Sequence, residues 1–243
     1  MITLHRSQQR HTLRGRGRKA WQTFWKPARS SAKRPAFAAI EGFDEVELSA
    51  RASLTVRSTR PIDLITYLFE GTLAHDDGEG HSDVLHAGEF SRASIARHSR
   101  YGETNPSTTG SARLFHLRLP SFATAGDPSS EHRRFSAAQR RGVLCPVAAP
   151  RGRNGTLTIQ HDAVIYSALL ESGQHIVHEL GAGCSAWLHL VHGELLIGDL
   201  LLSTGDGVGI TAERGLSFTS RASSEILLVS LGPAASRGSK LSK

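Results

Sequence analysis

The sequence predicts an all-β protein: two small antiparallel barrels of the jelly-roll kind, joined by a turn-rich connection, with few short helices. Three observations predict it. Short apolar, β-prone runs are punctuated by glycine turns. Leu64 to Phe69 stops at Glu70-Gly71, Thr72 to His75 stops at Asp76-Asp77-Gly78, and Ala87-Gly88-Glu89 feeds a strand from Phe90. The rhythm then returns between Thr156 and Leu231. Finally, the turns correspond: His192-Gly193-Glu194 parallels Glu70-Gly71-Thr72, and Gly205-Asp206-Gly207 parallels Ala87-Gly88-Glu89. One unit is used twice, at the strand spacing of small barrels and jelly rolls.

In chain order, residues 1–35 form a basic arm with ten Lys/Arg and no Asp or Glu. Its RGRGR stretch alternates Gly and Arg with nothing to bury and is expected to be a mobile loop. Phe37–Ile40, Val46–Leu48 and Leu54–Val56 show short alternation and are expected strands. Residues 62–119 complete the first barrel, with Arg113–Leu119 as a closing strand ended by Pro120. The first domain is thus expected over 1–120 and a linker over 121–155, with a short helix near Glu131–Gln139. The second barrel follows over 156–232, and a polar tail over 233–243.

Of the 243 residues 39% are hydrophobic, enough for a packed core and too many for a disordered chain. No apolar run approaches the roughly 20 residues needed to span a bilayer. The basic N-terminus lacks the apolar stretch of a secretory signal, so a cytoplasmic protein is expected. Cys145 and Cys184 have no CxxC or zinc spacing and read as free thiols. The net charge of +7 belongs to the arm, because the rest carries 19 basic against 22 acidic residues. Such an arm attracts phosphate polymers without sequence preference. Trp21, Phe24 and Trp25 could stack on bases or pin the arm to the body. There is no nucleophile elbow, P-loop or dinucleotide fingerprint in strand–helix context.

The motifs LITYLFEG, AHDD, AGE and RHSRYGETNPS, in that order, resemble the N-terminal barrel of the pirin family of two-cupin proteins. MITLHRSQQR and Trp21-Gln22-Thr23-Phe24 are similar to the family's start, which favours pinning by those aromatics. TLTIQHDAVIYSALL and EILLVSLGP resemble its second barrel, so the likeness covers nearly the whole chain. It implies a bicupin fold. It also implies, in family members with a complete site, Fe(II) held by three His and one Glu. Some of these resemble quercetinases, which cleave a flavonol with dioxygen.

Carried over residue by residue, the family's His-x-His falls on Arg57 and Thr59, its third His on His98 and its Glu on Glu103. Arg cannot shed its proton and a Thr hydroxyl is a poor donor, so no bound metal is expected. Among His75, His81, His86 and His116, the best-placed substitute ligand is His116. A rebuilt site of His98, Glu103 and His116 is the alternative. Arg57 is expected either to pair with Glu103 as counter-charge in place of a metal, or to lie on the barrel rim. The second barrel's His161, His175, His178, His189 and His192 offer no i,i+2 pair, and no metal is expected there.

Three functions follow from this reading. The first is a binding or regulatory bicupin without a competent metal centre, its partner an unidentified small molecule or protein. The second is a metal-dependent quercetin 2,3-dioxygenase using Fe(II) or another divalent transition metal at a rebuilt site. The third is a transcription-associated cofactor contacting nucleic acid weakly through residues 1–35. No membrane partner is expected.

Overall fold

The computed structural model describes residues 1–24, 37, 39–76, 82–121, 129–152 and 155–233. The strands of the first half are β1 (Ile2–His5), β2 (His11–Gly15), β3 (Arg18–Gln22), β4 (Gly42–Leu48), β5 (Ser53–Arg57), β6 (Ile62–Glu70), β7 (Thr72–Asp76), β8 (Ser82–His86), β9 (Glu89–Ile95), β10 (Arg100–Thr104), β11 (Ala112–Pro120) and β12 (Ser130–Arg134). After the one-turn helix α1 (Ala137–Arg140) come β13 (Cys145–Pro150), β14 (Leu157–Ile159), β15 (Ala163–Leu170), β16 (His175–Glu179), β17 (Ser185–His192), β18 (Glu194–Ile197), β19 (Leu200–Ser203), β20 (Gly207–Thr211), β21 (Gly215–Ser220) and β22 (Ser224–Leu231).

Each half is a barrel of one seven-stranded and one four-stranded sheet. In the first, the order β12-β9-β6-β11-β4-β3-β2 faces β5-β10-β7-β8. In the second, β1-β20-β17-β22-β15-β13-β14 faces β16-β21-β18-β19. Side chains alternate across a strand, and both faces of the large sheets are used. On β11, Leu114 and Ala112 point into the first barrel, while Phe115, Leu117 and Leu119 join a cluster shared with the second. On β22, Leu227, Val229 and Leu231 enter that shared cluster, while Ile226 and Leu228 fill the second barrel. This double burial is why residues 226–229, ILLV, read as an unbroken apolar run instead of an alternating one.

Trp187, fully buried on β17, centres one end of the shared core, with Phe24 at 4.7 Å and Phe37 at 5.9 Å. These rings explain the second and third glycines of GDGVG. A Cβ at Gly207 would come within 2.2 Å of Trp187, and one at Gly209 within 2.4 Å of Phe37. Phe24 therefore packs the arm onto the second barrel, and Lys19 Nζ lies 4.2 Å over the Trp21 ring. Trp25 falls outside the described residues.

Several expectations change. RGRGR is not a loose loop but the β2–β3 hairpin, closed at Gly17 with φ +67°. It persists because β3 pairs along β4 and buries Ala20. Phe37 and Ala39 lie in turns instead of a strand. Residues 130–134 extend the first barrel's sheet beside β9, and the helix is confined to α1. β1 crosses to the second barrel and pairs with β20, so the N-terminal segment ties the two barrels together. Arg6 reaches Asp206 at 2.8 Å and Arg10 reaches Glu45 at 2.9 Å, so two of the arm's cations are engaged within the molecule. Cys145 and Cys184 are both free thiols. No helix among the described residues is long and apolar enough to cross a membrane.

Candidate functional site in the first barrel

Polar side chains collect at one end of the first barrel's interior. β10 supplies Tyr101 and Glu103, which lie two apart, share a face and are 4% and 1% exposed. β10 runs between β5 and β7, setting Glu103 beside Leu54 on one side and His75 on the other. From the opposite sheet, β11 brings His116, flanked by Thr66 on β6 and Asp44 on β4. The hydrogen bonds join the two sheets across the barrel. Thr66 Oγ1 donates to Glu103 Oε1 at 3.0 Å, and His116 Nε2 lies 2.7 Å from Glu103 Oε2.

Burial pulls the Glu103 pKa upward. The facing His116 and the hydrogen bonds from His116 and Thr66 outweigh it, and the net shift is below the ordinary carboxylate value. Glu103 is thus an ionised acceptor, and His116 donates through Nε2. Burial lowers the pKa of His75, with Glu103 and Asp83 acting in the opposite sense.

A cleft of about 220 Å³ opens beside this pair, between β5 and the β2–β4 strands, and reaches His116. At its wall Asp44 accepts from Arg118 at 2.8 Å and from Gln22 Nε2 at 3.5 Å. The Arg118 guanidinium lies across Gly42, where a Cβ would come within 2.0 Å of it.

Of the site residues expected from the sequence, Glu103 and His116 meet. Arg57 does not pair with Glu103. Alternation on β5 turns Leu54 and Val56 inward and Arg57 outward, so it sits exposed at the rim of the cleft. Thr59 is exposed beyond the end of β5. His98 stands exposed in the turn after β9, with φ +63°, its backbone N–H bonded to Ser58. Two positions before Glu103 on the same strand face stands Tyr101, not His98. The expectation followed the RHS tripeptide, whereas the i,i+2 spacing of Tyr101 and Glu103 was the signal that could have found the pair. His86 is exposed, and His81 falls outside the described residues. Among the described residues, no group of three or more His, Cys, Asp or Glu is arranged to hold a metal ion.

In the second barrel, His161 and His189 are buried while His175 and His192 are exposed, and His189 is the deepest of the set. It is 1% exposed, turned toward the first barrel between Phe43 at 4.7 Å and Phe115 at 5.5 Å.

The fold and the interior site define a two-barrel cupin protein. The family model described as Pirin matches residues 7–118, and the one described as Quercetinase C-terminal cupin domain matches 146–231. The chain belongs to the pirin family, as a quercetinase-like bicupin. The quercetin 2,3-dioxygenase of Escherichia coli K12 is 28% identical over 96% of this chain and all of the relative. A pirin-like protein of Caulobacter vibrioides is 25% identical over 79% of this chain and 82% of the relative. Crystal structures of YhhW from Escherichia coli are similar throughout. One has TM-score 0.86 at 27% identity, covering 96% of this chain and 99% of that one. The other, of the bacterial pirin in complex with nickel(II), has TM-score 0.85 at 26% identity, covering 96% of this chain and 100% of that one.

Proposed function

We propose that this chain is a pirin-family binding or regulatory protein whose first barrel receives a small molecule and does not depend on a resident iron. One observation carries the reading: both oxygens of Glu103 are engaged by protein donors, His116 and Thr66, across the barrel. The positions that would supply imidazoles are exposed Arg57, Thr59 and His98, and the strand face beside Glu103 carries a phenol, Tyr101. His116 and Glu103 are already bonded to each other, and even with His75 beside Glu103 no three donors among the described residues are grouped to hold a metal. That does not fit Fe(II), which takes several His and carboxylate donors with open positions. The test is elemental analysis of protein purified from metal-supplemented culture, with quercetin turnover assayed under added Fe(II) and Ni(II). The expected result is well under one transition metal per chain and no turnover. A stoichiometric metal lost on Glu103→Ala would overturn the reading.

The second reading is a quercetin 2,3-dioxygenase, favoured by the names and full-length coverage of the relatives. It requires metal-dependent flavonol turnover that falls on His116→Ala or His98→Ala.

A further inference from the structure

Arg57 and Arg100 stand directly opposite each other on β5 and β10, both exposed. Neither forms an ion pair among the described residues. Like charges in that cross-strand relation destabilise a sheet, so the place favours a counter-anion. Behind Arg57 runs the cleft of about 220 Å³ that ends at His116. Arg18 also lines it and likewise has no ion pair among the described residues. Asp44, the only carboxylate residue among the described residues that line the cleft, is already neutralised by Arg118. The positive charge at the mouth is therefore not cancelled within the lining. Deeper in, Leu54 and Val56 give the cleft an apolar wall.

We propose that this cleft binds a small organic anion, one ring or a short apolar body bearing a single carboxylate or phenolate. Arg57 and Arg18 take the charge, because a guanidinium fork matches a carboxylate. Leu54 and Val56 take the body, and His116 stands at the far end with its Nε2 committed to Glu103. The volume lies below the roughly 300–1,000 Å³ of sites that enclose drug-sized ligands, so a one-ring acid suits it better than a three-ring flavonol. The inference names the ligand class of the binding site proposed above and rests on that reading.

The experiment titrates the full chain with benzoate, with its neutral isostere benzamide and with inorganic phosphate, by calorimetry at low and high salt. Benzoate is expected to bind saturably at one site, more weakly in high salt, with benzamide and phosphate at least tenfold weaker. Arg57→Ala is expected to weaken benzoate tenfold or more with the melting temperature of the free protein equal or higher, and Arg57→Lys to keep part of the affinity. Equal binding of benzamide, equal binding of phosphate, or full affinity in Arg57→Ala overturns the proposal. Metal analysis separates the two readings. Metal-poor protein that ignores benzoate overturns the anion site alone. Metal-loaded protein that binds benzoate through Arg57 overturns the metal-independent reading alone.

Discussion

Tyr67 of the first barrel donates its hydroxyl to Glu225 of the second, and Arg140 from α1 closes on the same Glu225 oxygen at 2.8 Å. Ser167 accepts from Arg140 at 3.1 Å, so both barrels and the segment between them meet at one carboxylate. Burial and the Glu225 charge raise the Tyr67 pKa, with Arg140 opposing them, and Tyr67 remains a neutral donor. Breaking a buried ion pair costs about 3–5 kcal/mol, because the remaining charge loses its partner. Glu225 keeps 11% side-chain exposure, which places Arg140→Ala near the low end. Tyr67→Phe removes the hydrogen bond donated to Glu225 and the longer one accepted from Arg140 at 3.3 Å, and is expected to cost about 1.5–3 kcal/mol. Urea unfolding checks both; a loss below about 0.5 kcal/mol for Arg140→Ala would mean that the network does not hold the barrels together.

Glu103→Ala leaves His116 Nε2 and Thr66 Oγ1 buried without their acceptor, at an expected cost of about 1–3 kcal/mol. Because the Glu103 pKa is lowered on folding, its contribution is present above the unfolded value near 4.5 and is lost as pH falls through the folded value. The stability gap between wild type and Glu103→Gln should therefore be full at neutral pH and close in acid. A gap that widened in acid would contradict the assigned charge.

His189 has both ring nitrogens buried without a hydrogen-bond partner among the described residues. Burial, with Arg10 nearby, depresses its pKa from 6.5 to about 3. Between those values the unfolded chain binds a proton that the folded one refuses, so stability falls as pH drops from 6.5 toward 3. The slope is at most about 1.4 kcal/mol per pH unit for this group. His5, His75, His161 and His178 are shifted in the same direction and add to it. His189→Phe is expected to leave neutral-pH stability equal or higher and to flatten this acid slope. Denaturant midpoints at pH 7 and pH 5 measure both effects.

The N-terminal strand covers an edge of the second barrel. Deleting residues 1–5 removes the β1–β20 pairing and the bond from the Thr211 amide to Met1 O at 3.0 Å. Hydrogen exchange should quicken at Thr211 and along β20 while the first barrel's strands keep their protection. Unchanged exchange at Thr211 would show that β1 does not stay paired.

Much of the fold is legible in the chain. Turn glycines and β-prone runs mark most strands, and the repeated unit marks two barrels. The sequence also singled out Glu103 and His116. It failed where packing reshaped local preference. RGRGR has no apolar content of its own to hold a hairpin, yet β4 offers a paired edge that orders it. Tyr101 carries no metal-ligand signature of its own, and only the strand alternation that presents every second residue puts it beside Glu103.

By itself, the sequence determined the two-barrel class, the apolar faces and the presence of Arg and Thr at residues 57 and 59, because period-two alternation and residue chemistry are local properties. Only the tertiary structure decided that Glu103 meets His116 and Thr66 instead of Arg57, and that β1 belongs to the far barrel. Those outcomes depend on which strands become neighbours and in what register, and pairing between distant segments leaves no local mark on either one.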